Sequence, residues 1–418
     1  MTVSVEQAEE VLQEVYGEKG VFDVTYKKRP LLGTLQKIRT YGSEFVYTVR
    51  YHHAQNRSRT DTTALAKDRN PGNAKFKVEI SKESGADFDA QSIDEVTLEQ
   101  TSGDKGAFVD LLTEATDGIN NNLSDNAYAD LFRDEGAAIG QIRSGSTITG
   151  TTITLRTRSD ITRVERGQRL VFSLTNGTGV LLPGFVTVDK VNRQTGVITI
   201  LEDLDGTIAG ITDDCFVFPT GDYGRGRFGL EAWIPFDNSN LSTVFNNVIR
   251  DRDEQRLAGS RVTGGGDPIS DVVRRVCTAI SENGGTADYA SLSSFQFNKL
   301  VSELDAKTVY TKEPDMSSKT SKGTVAYSAI DIHTPAGLVT CMAEPKCPDT
   351  RVWCGDKGVM SLRHLFKDLI DMTDDDGNLL AREGSKFAFD VRGKSVFQPV
   401  IKEPRSWGVG SLTAPTAT

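Results

Sequence analysis

The sequence predicts an α+β protein, and three patterns carry that prediction. Between positions 106 and 135, Phe108, Leu111, Leu112, Ala115, Ile119, Leu123, Ala127 and Leu131 recur three or four residues apart, the spacing of one helix stripe. Ahead of it, Phe45, Tyr47, Val49 and Tyr51, and later Phe76, Val78 and Ile80, alternate with polar neighbours at the period of a strand. Behind it, short β-rich runs separated by turn residues give way to a mixture of helices and strands.

The chain of 418 residues is long enough for two or three globular units and buries a sizeable core without metals or disulfides. No stretch approaches the ~20 apolar residues of a membrane span. Residues 1–20 carry acid and lack an apolar centre, so no signal peptide is expected there. Five cysteines, an odd number, fit a reducing cytoplasm better than a secreted disulfide scaffold. The net charge of −10 argues against a protein whose main task is neutralising phosphates, though not against lining a compartment that holds nucleic acid.

Taken in order, residues 1–20 read as an amphipathic helix, with Val5, Ala8, Val11, Leu12 and Val15 on one face and Glu6, Glu9, Glu10 and Glu14 elsewhere. Pro30 is expected to stop any helix before it and to keep Arg29 extended, which makes this region an arm. The alternating runs at 43–51 and 75–82 form a two-stranded hairpin. Its connection, residues 52–73, is polar and basic, with Arg57, Arg59, Lys67 and Arg69. Isolated hairpins are marginal in water, so this one is expected to lie on a partner surface; a surface loop without a partner is the plainer alternative. The helix at 106–135 would span roughly 40 Å. The run Asn120, Asn121, Asn122 is expected to bend it.

Residues 140–225 carry β-rich runs at 147–155, 169–174, 184–191, 197–201 and 215–218, with turns at Asn176-Gly177, Gln194-Thr195-Gly196 and Asp205-Gly206. That density of short strands predicts a small inserted β-barrel or sandwich. Gly221, Gly224, Gly226 and Gly229 mark its exit. Next comes a helix with Asp267 as N-cap and Pro268 at its first position, a stripe of Ile269, Val272, Val273, Val276 and Ile280, and a stop at Asn283-Gly284-Gly285. A second helix is predicted over 294–304. A lysine-rich loop spans 305–322, and strands follow at 324–332, 337–343, 350–354, 386–391 and 396–401. Residues 361–369 read as a helical turn or a further strand.

No constellation points to catalysis or to a cofactor. The glycines before Pro268 lack the Lys-Ser/Thr of a phosphate loop. The acidic turn Asp374-Asp375-Asp376-Gly377, with Glu383, resembles a calcium loop but has Met372 where the first carboxylate belongs. Cys341, Cys347 and Cys354, with His333 nearby, lack paired zinc spacing and read as core residues. His52, His53 and His364 have no evident nucleophile beside them in sequence. The basic hairpin tip is poor in aromatics, which disfavours single-strand nucleic-acid binding.

The succession of arm, hairpin, long helix and α+β half resembles the major capsid proteins of tailed bacteriophages, specifically members with an inserted β-domain. The residues that carry the likeness are Arg29-Pro30-Leu31-Leu32-Gly33-Thr34-Leu35; Gly103-Asp104-Lys105-Gly106-Ala107-Phe108; Leu131-Phe132-Arg133-Asp134 with Ala138-Ile139-Gly140-Gln141-Ile142; and Arg256-Leu257-Ala258-Gly259. It covers roughly residues 25–410. The resemblance implies an N-terminal arm (1–42), an extended loop (43–96), a spine helix with its lead-in (97–138), an inserted domain (139–228), a peripheral domain (229–322) and an axial domain (323–418). It further implies assembly in the host cytoplasm into hexamers and pentamers of an icosahedral virion shell around double-stranded DNA. Implied partners are other copies of itself, a separate scaffolding protein, a portal and a decoration protein, with no membrane. The candidate inter-subunit contacts are Arg57, Arg59, Lys67, Arg69, Phe45, Tyr47 and Phe76. Two alternatives stay open: an encapsulin-like compartment shell, and a cytosolic enzyme with a site between the insert and the α+β half.

Overall fold

The computed structural model describes residues 29–54, 57–66, 71–96, 111–239, 241–305, 329–373, 378–382 and 387–413. The acidic segment 1–20, Lys67, Arg69, Phe108, the loop 305–322 beyond its first residue, and the acids Asp374, Asp375, Asp376 and Glu383 lie outside them.

The described chain opens with Arg29, followed by a one-turn helix, α1 (Pro30–Thr34). Pro30 starts this helix because its fixed φ suits the first helical position, where no N–H partner is needed. Leu31 and Leu32 are thereby buried in the main core. Strand β1 (Gln36–Arg39) follows, then the hairpin β2 (Glu44–His52) and β3 (Gly72–Glu79), and β4 (Ala86–Asp94).

The long helix α2 (Leu111–Asp130) holds 20 described residues, about 30 Å, and runs unbroken through the three asparagines. It ends five residues short of the expected 135: the Leu131, Phe132 and Arg133 N–H groups donate to carbonyls three residues back, a tighter turn, and the Leu131 carbonyl accepts the Leu230 N–H of the returning chain at 2.7 Å. Its stripe, Ala115, Ile119, Leu123 and Ala127, is buried. Ile93 of β4 and Val391 complete that contact. Gly393 makes it possible, since a Cβ there would stand 2.3 Å from the Ile119 side chain.

Residues 140–219 form a six-stranded sheet: β5 (Gly140–Gln141), β6 (Thr152–Thr154), β7 (Arg169–Ser173), β8 (Val186–Asn192), β9 (Val197–Ile200) and β10 (Phe216–Pro219), in the order β5-β10-β7-β8-β9-β6. The two end strands meet. Ile142 bridges Leu155, Arg156 N–H donates to Gln141 O at 2.7 Å, and Arg143 N–H donates to Thr154 O at 2.9 Å. The sheet thus closes around its own core, whose buried members all fall between Ile139 and Val217. Asp205-Gly206 lies within a short helix, Leu204–Thr207, where a turn was expected.

The chain leaves this sheet beside its entry. Gly226 N–H donates to Glu135 O and Gly224 N–H to Gly136 O. Gly229 lies so close that a Cβ would meet Asp130 O at 2.1 Å, so no larger residue fits.

A second six-stranded sheet has the order β11 (Ser260–Val262), β19 (Trp407–Ser411), β15 (Arg351–Gly355), β12 (Tyr289–Leu292), β14 (Gly337–Ala343), β13 (Ala329–Thr334). Helices α3 (Ile269–Glu282) and α4 (Ser294–Asp305) share its core, with Val272, Val273, Val276 and Ile280 inward. Pro268 takes the N-cap place assigned to Asp267, whose carboxylate instead pairs with Arg275. The Ile269 N–H at the start of α3 is satisfied by Glu303 of α4 at 2.9 Å.

The third sheet joins β1, β16 (Met360–His364), β17 (Leu380–Arg382) and β4 to β18 (Ala388–Ile401). Residues 361–364 are therefore strand. The runs expected at 386–391 and 396–401 are one continuous strand, because β4 pairs across the gap through Arg392↔Ala90, Gly393↔Asp89 and Lys394↔Phe88.

Candidate assembly surface

The hairpin's inner and outer faces have different fates. Along β3, Ala74, Phe76 and Val78 are buried while Asn73, Lys75 and Lys77 are exposed. The ring of Phe76 stacks on Tyr47 at 5.4 Å and tilts against Trp233 at 5.5 Å, and Trp233 meets Phe245 edge-on at 5.1 Å. Phe76 is fully buried and is therefore a core residue of its own subunit, which removes it as an inter-subunit contact. The hairpin does not require another subunit to cover its apolar face, because Trp233 and Phe245 supply that cover in the same chain. Phe45 and Tyr47 are half-buried. Phe45 lies beneath the Arg363 guanidinium at 4.2 Å, and the Tyr47 hydroxyl donates to Ile401 O at 2.9 Å. Burial pushes the Tyr47 phenol well above its usual range.

The tip is the opposite. Arg57 and Arg59 are exposed, and a single helical turn (Asp61–Leu65) presents Leu65 with 67% of its surface to solvent. Among the described strands, β2 pairs only with β3 and β1 only with β16, which leaves one edge of each open. Open edges accept further strands. Beside β4, Val96 and Phe387 are largely exposed and adjacent, joined by Glu95 N–H to Phe387 O at 3.0 Å.

Behind these surfaces lies a buried polar junction that the sequence reading missed. Asp130, at the end of α2, accepts Arg163 from the 3-10 turn (Arg158–Arg163) between β6 and β7 at 3.1 Å and Arg227 from the exit segment at 2.8 Å. Arg227 is 2% exposed; it also donates to Gly85 O and covers the Phe397 ring at 4.2 Å. Arg133 pairs with Asp160, and Lys346 pairs with Asp125 at 2.6 Å while donating to Thr162 O at 2.8 Å. Burial lowers the Lys346 pKa, with Asp125 opposing that shift. Arg29 of the arm donates to Asn121 O on the same helix at 3.0 Å. Two residues from Lys346, Glu344 is fully buried and accepts the hydroxyls of Tyr128 and Tyr289. Burial pushes its carboxyl up to about 7. One signal was available: Asp130 falls three residues after Ala127, on the apolar stripe, where a carboxylate requires a buried partner.

The other singled-out residues are structural. All five cysteines are reduced and buried. His364 is buried with Nδ1 at 3.0 Å from Phe366 O, and His52 packs edge-on against Tyr51. Among the described residues no cluster of ligating side chains could hold a metal ion. Cavities of about 360 and 260 Å³ contain neither a histidine nor a cysteine.

No protein-family profile matches the sequence, and no curated protein matches it. Solved structures do. The cyanophage A-1(L) capsid asymmetric unit aligns with a TM-score of 0.58 at 12% identity, covering 97% of this chain and 97% of that one. The capsid of an empty GTA particle aligns at 0.48 and 10% identity, covering 99% and 98%, and the holo-SrpI encapsulin complex from Synechococcus elongatus at 0.45 and 8%, covering 95% and 92%. The fold assignment rests on the first of these. At 12% identity that likeness is one of fold. The chain has the mixed α+β fold of that cyanophage capsid subunit.

Proposed function

We propose that the protein is a phage major capsid protein that assembles as hexamers and pentamers into an icosahedral shell around double-stranded DNA. The observation that carries this reading is the alignment over 97% of both chains with a cyanophage capsid subunit. On this reading residues 1–42 are the arm, 43–96 the extended loop, 97–138 the spine, 139–228 an inserted barrel, 229–322 the peripheral domain and 323–418 the axial domain. The hairpin tip is the projection that reaches a neighbour, with Arg57 and Arg59, and in sequence Lys67 and Arg69, as its cations. Phe45 and Tyr47 contribute only the flanks their own subunit leaves uncovered. Heterologous contacts of this type close into rings, and many weak contacts sum to a stable shell. A separate scaffolding protein, a portal and a decoration protein are the further partners this reading proposes.

Negative-stain microscopy of the full-length protein, expressed with and without a scaffold, tests the assignment. Closed shells support it, and a strictly monomeric protein under both conditions sinks it. Nuclease-protected DNA in particles from infected cells distinguishes a genome container from a compartment for proteins.

A further inference from the structure

Three of the five cysteines converge on one spot of the second sheet. Ala290 of β12 pairs with Cys341 of β14 on one side and with Cys354 of β15 on the other. Paired residues of adjacent strands point to the same face. Here it is the face that α3 covers, because Ala290, Cys341 and Cys354 share a core with Val272, Val273, Val276 and Cys277. Their strand neighbours Tyr289 and Trp353 belong to the core on the other face. The helix lies close to the sheet at this level: Gly408 pairs with Cys354, and a Cβ on Gly408 would stand 2.8 Å from Val276. Cys277 follows Val276 and accepts hydrogen bonds from the Cys354 thiol and the Thr334 hydroxyl.

A buried thiol ordinarily rests as a small apolar group, and all three of these are fully buried. The Cys277–Cys354 pair is chemically unequal. Its hydrogen bond draws the Cys277 pKa below the ordinary thiol value, against the opposing effect of burial, and the same bond raises Cys354 well above it, with burial adding. Burial pushes Cys341 up to about 12. One thiol is thus disposed to ionise while its neighbour holds the proton, the asymmetry on which thiol oxidation depends. Cys347 and Cys215 belong to other cores and serve as internal controls.

We propose that Cys277 and Cys354 are an oxidation site, a dithiol that hydrogen peroxide converts to a disulfide fastening α3 to β15. Peroxide is small enough to reach the pair by local opening of the helix. The Cys277 thiolate attacks one peroxide oxygen, the O–O bond breaks and hydroxide leaves, giving a sulfenic acid. The Cys354 sulfur then attacks the Cys277 sulfur, the S–O bond breaks and a second hydroxide leaves. The two thiol protons complete two waters, and the two electrons lost by the sulfurs reduce the peroxide. Both thiols lie within one chain, so the inference is independent of shell formation. The test treats the reduced full-length protein with peroxide under native conditions, blocks remaining thiols with a maleimide in denaturant, and maps the peptides by mass spectrometry. A Cys277–Cys354 linked peptide is expected, with Cys215 and Cys347 alkylated, and Cys341→Ala should retain the link. The bridge closes a loop of roughly 75 residues, so oxidation should raise Tm by about 5 °C, reversed by dithiothreitol and absent in Cys354→Ala. Five alkylated cysteines after peroxide treatment overturn the proposal, as does a bridge that forms only in urea or that joins Cys341 as often as Cys354.

Discussion

The inserted sheet and the hairpin are both antiparallel, and they gain stability in opposite ways. The insert closes six strands around a core drawn entirely from its own residues, and it meets the rest of the chain through the Arg163–Asp130 and Arg133–Asp160 pairs and the hydrogen bond from Lys346 to Thr162 O. The hairpin has two strands and no core of its own; Ala74, Phe76 and Val78 belong to the cluster that holds Trp233, Phe397 and Trp407. A closed sheet satisfies its own backbone and apolar groups, so a polar joint suffices to orient it. Two strands bury one face only by lying on something larger. The difference teaches that an apolar hairpin face does not by itself announce a neighbouring subunit.

Truncation separates the two cases most sharply. Phe76→Ala should cost ~3–5 kcal/mol in urea denaturation and expose the hairpin amides together with those near Trp233. Phe172→Ala in the insert should cost a similar amount, yet hydrogen exchange should rise within residues 140–219 alone; parallel loss of hairpin protection would break the comparison. Next comes the polar joint. Arg227→Ala leaves Asp130 with one of its two cations and empties the space over Phe397, and should lower stability by about 3–5 kcal/mol.

The buried carboxyl sharpens the contrast through pH. Glu344 titrates at about 7 when folded against an ordinary 4.5, so between those values the folded state holds a proton that the unfolded chain has released. Unfolding free energy should therefore fall as pH rises across that window, by on the order of 3 kcal/mol, and this contribution should be level above it. Glu344→Gln should flatten the dependence, read from urea midpoints at pH 5 and pH 8. A wild-type slope that persists in the variant would assign it to other groups. The smallest effect on the monomer belongs to the tip: Arg57→Ala/Arg59→Ala should shift stability by less than ~0.5 kcal/mol while abolishing closed particles in microscopy.

Periodic elements were legible in the sequence. The stripe of α2, the alternation of β2 and β3, the strands β7 to β10 and the helices α3 and α4 emerge from apolar spacing and turn residues. What escaped lacks that spacing. Tyr289–Leu292 is buried on every residue and so shows no alternation, and Trp407–Ser411 is interrupted by Gly408 and Gly410. Glu344 stands in Ala343-Glu344-Pro345-Lys346, which reads as an exposed polar turn; only the tertiary approach of Tyr128 and Tyr289 makes it an interior acid. The hairpin's strands were readable and its seat was not, because Trp233 and Phe245 lie more than 150 residues downstream of Phe76.

The paired backbone at Glu135–Gly136 and Gly224–Gly226 gives the insert a single doorway. A module whose two ends pass through one opening can be exchanged for another with neighbouring termini, leaving the frame around it unmoved. The replacement would need its own guanidinium where Arg163 now reaches Asp130, or the frame would be left holding an acid only half neutralised. Any exchange at this position must therefore carry both a cation for Asp130 and a carboxylate for Arg133, or it leaves a buried charge unpaired.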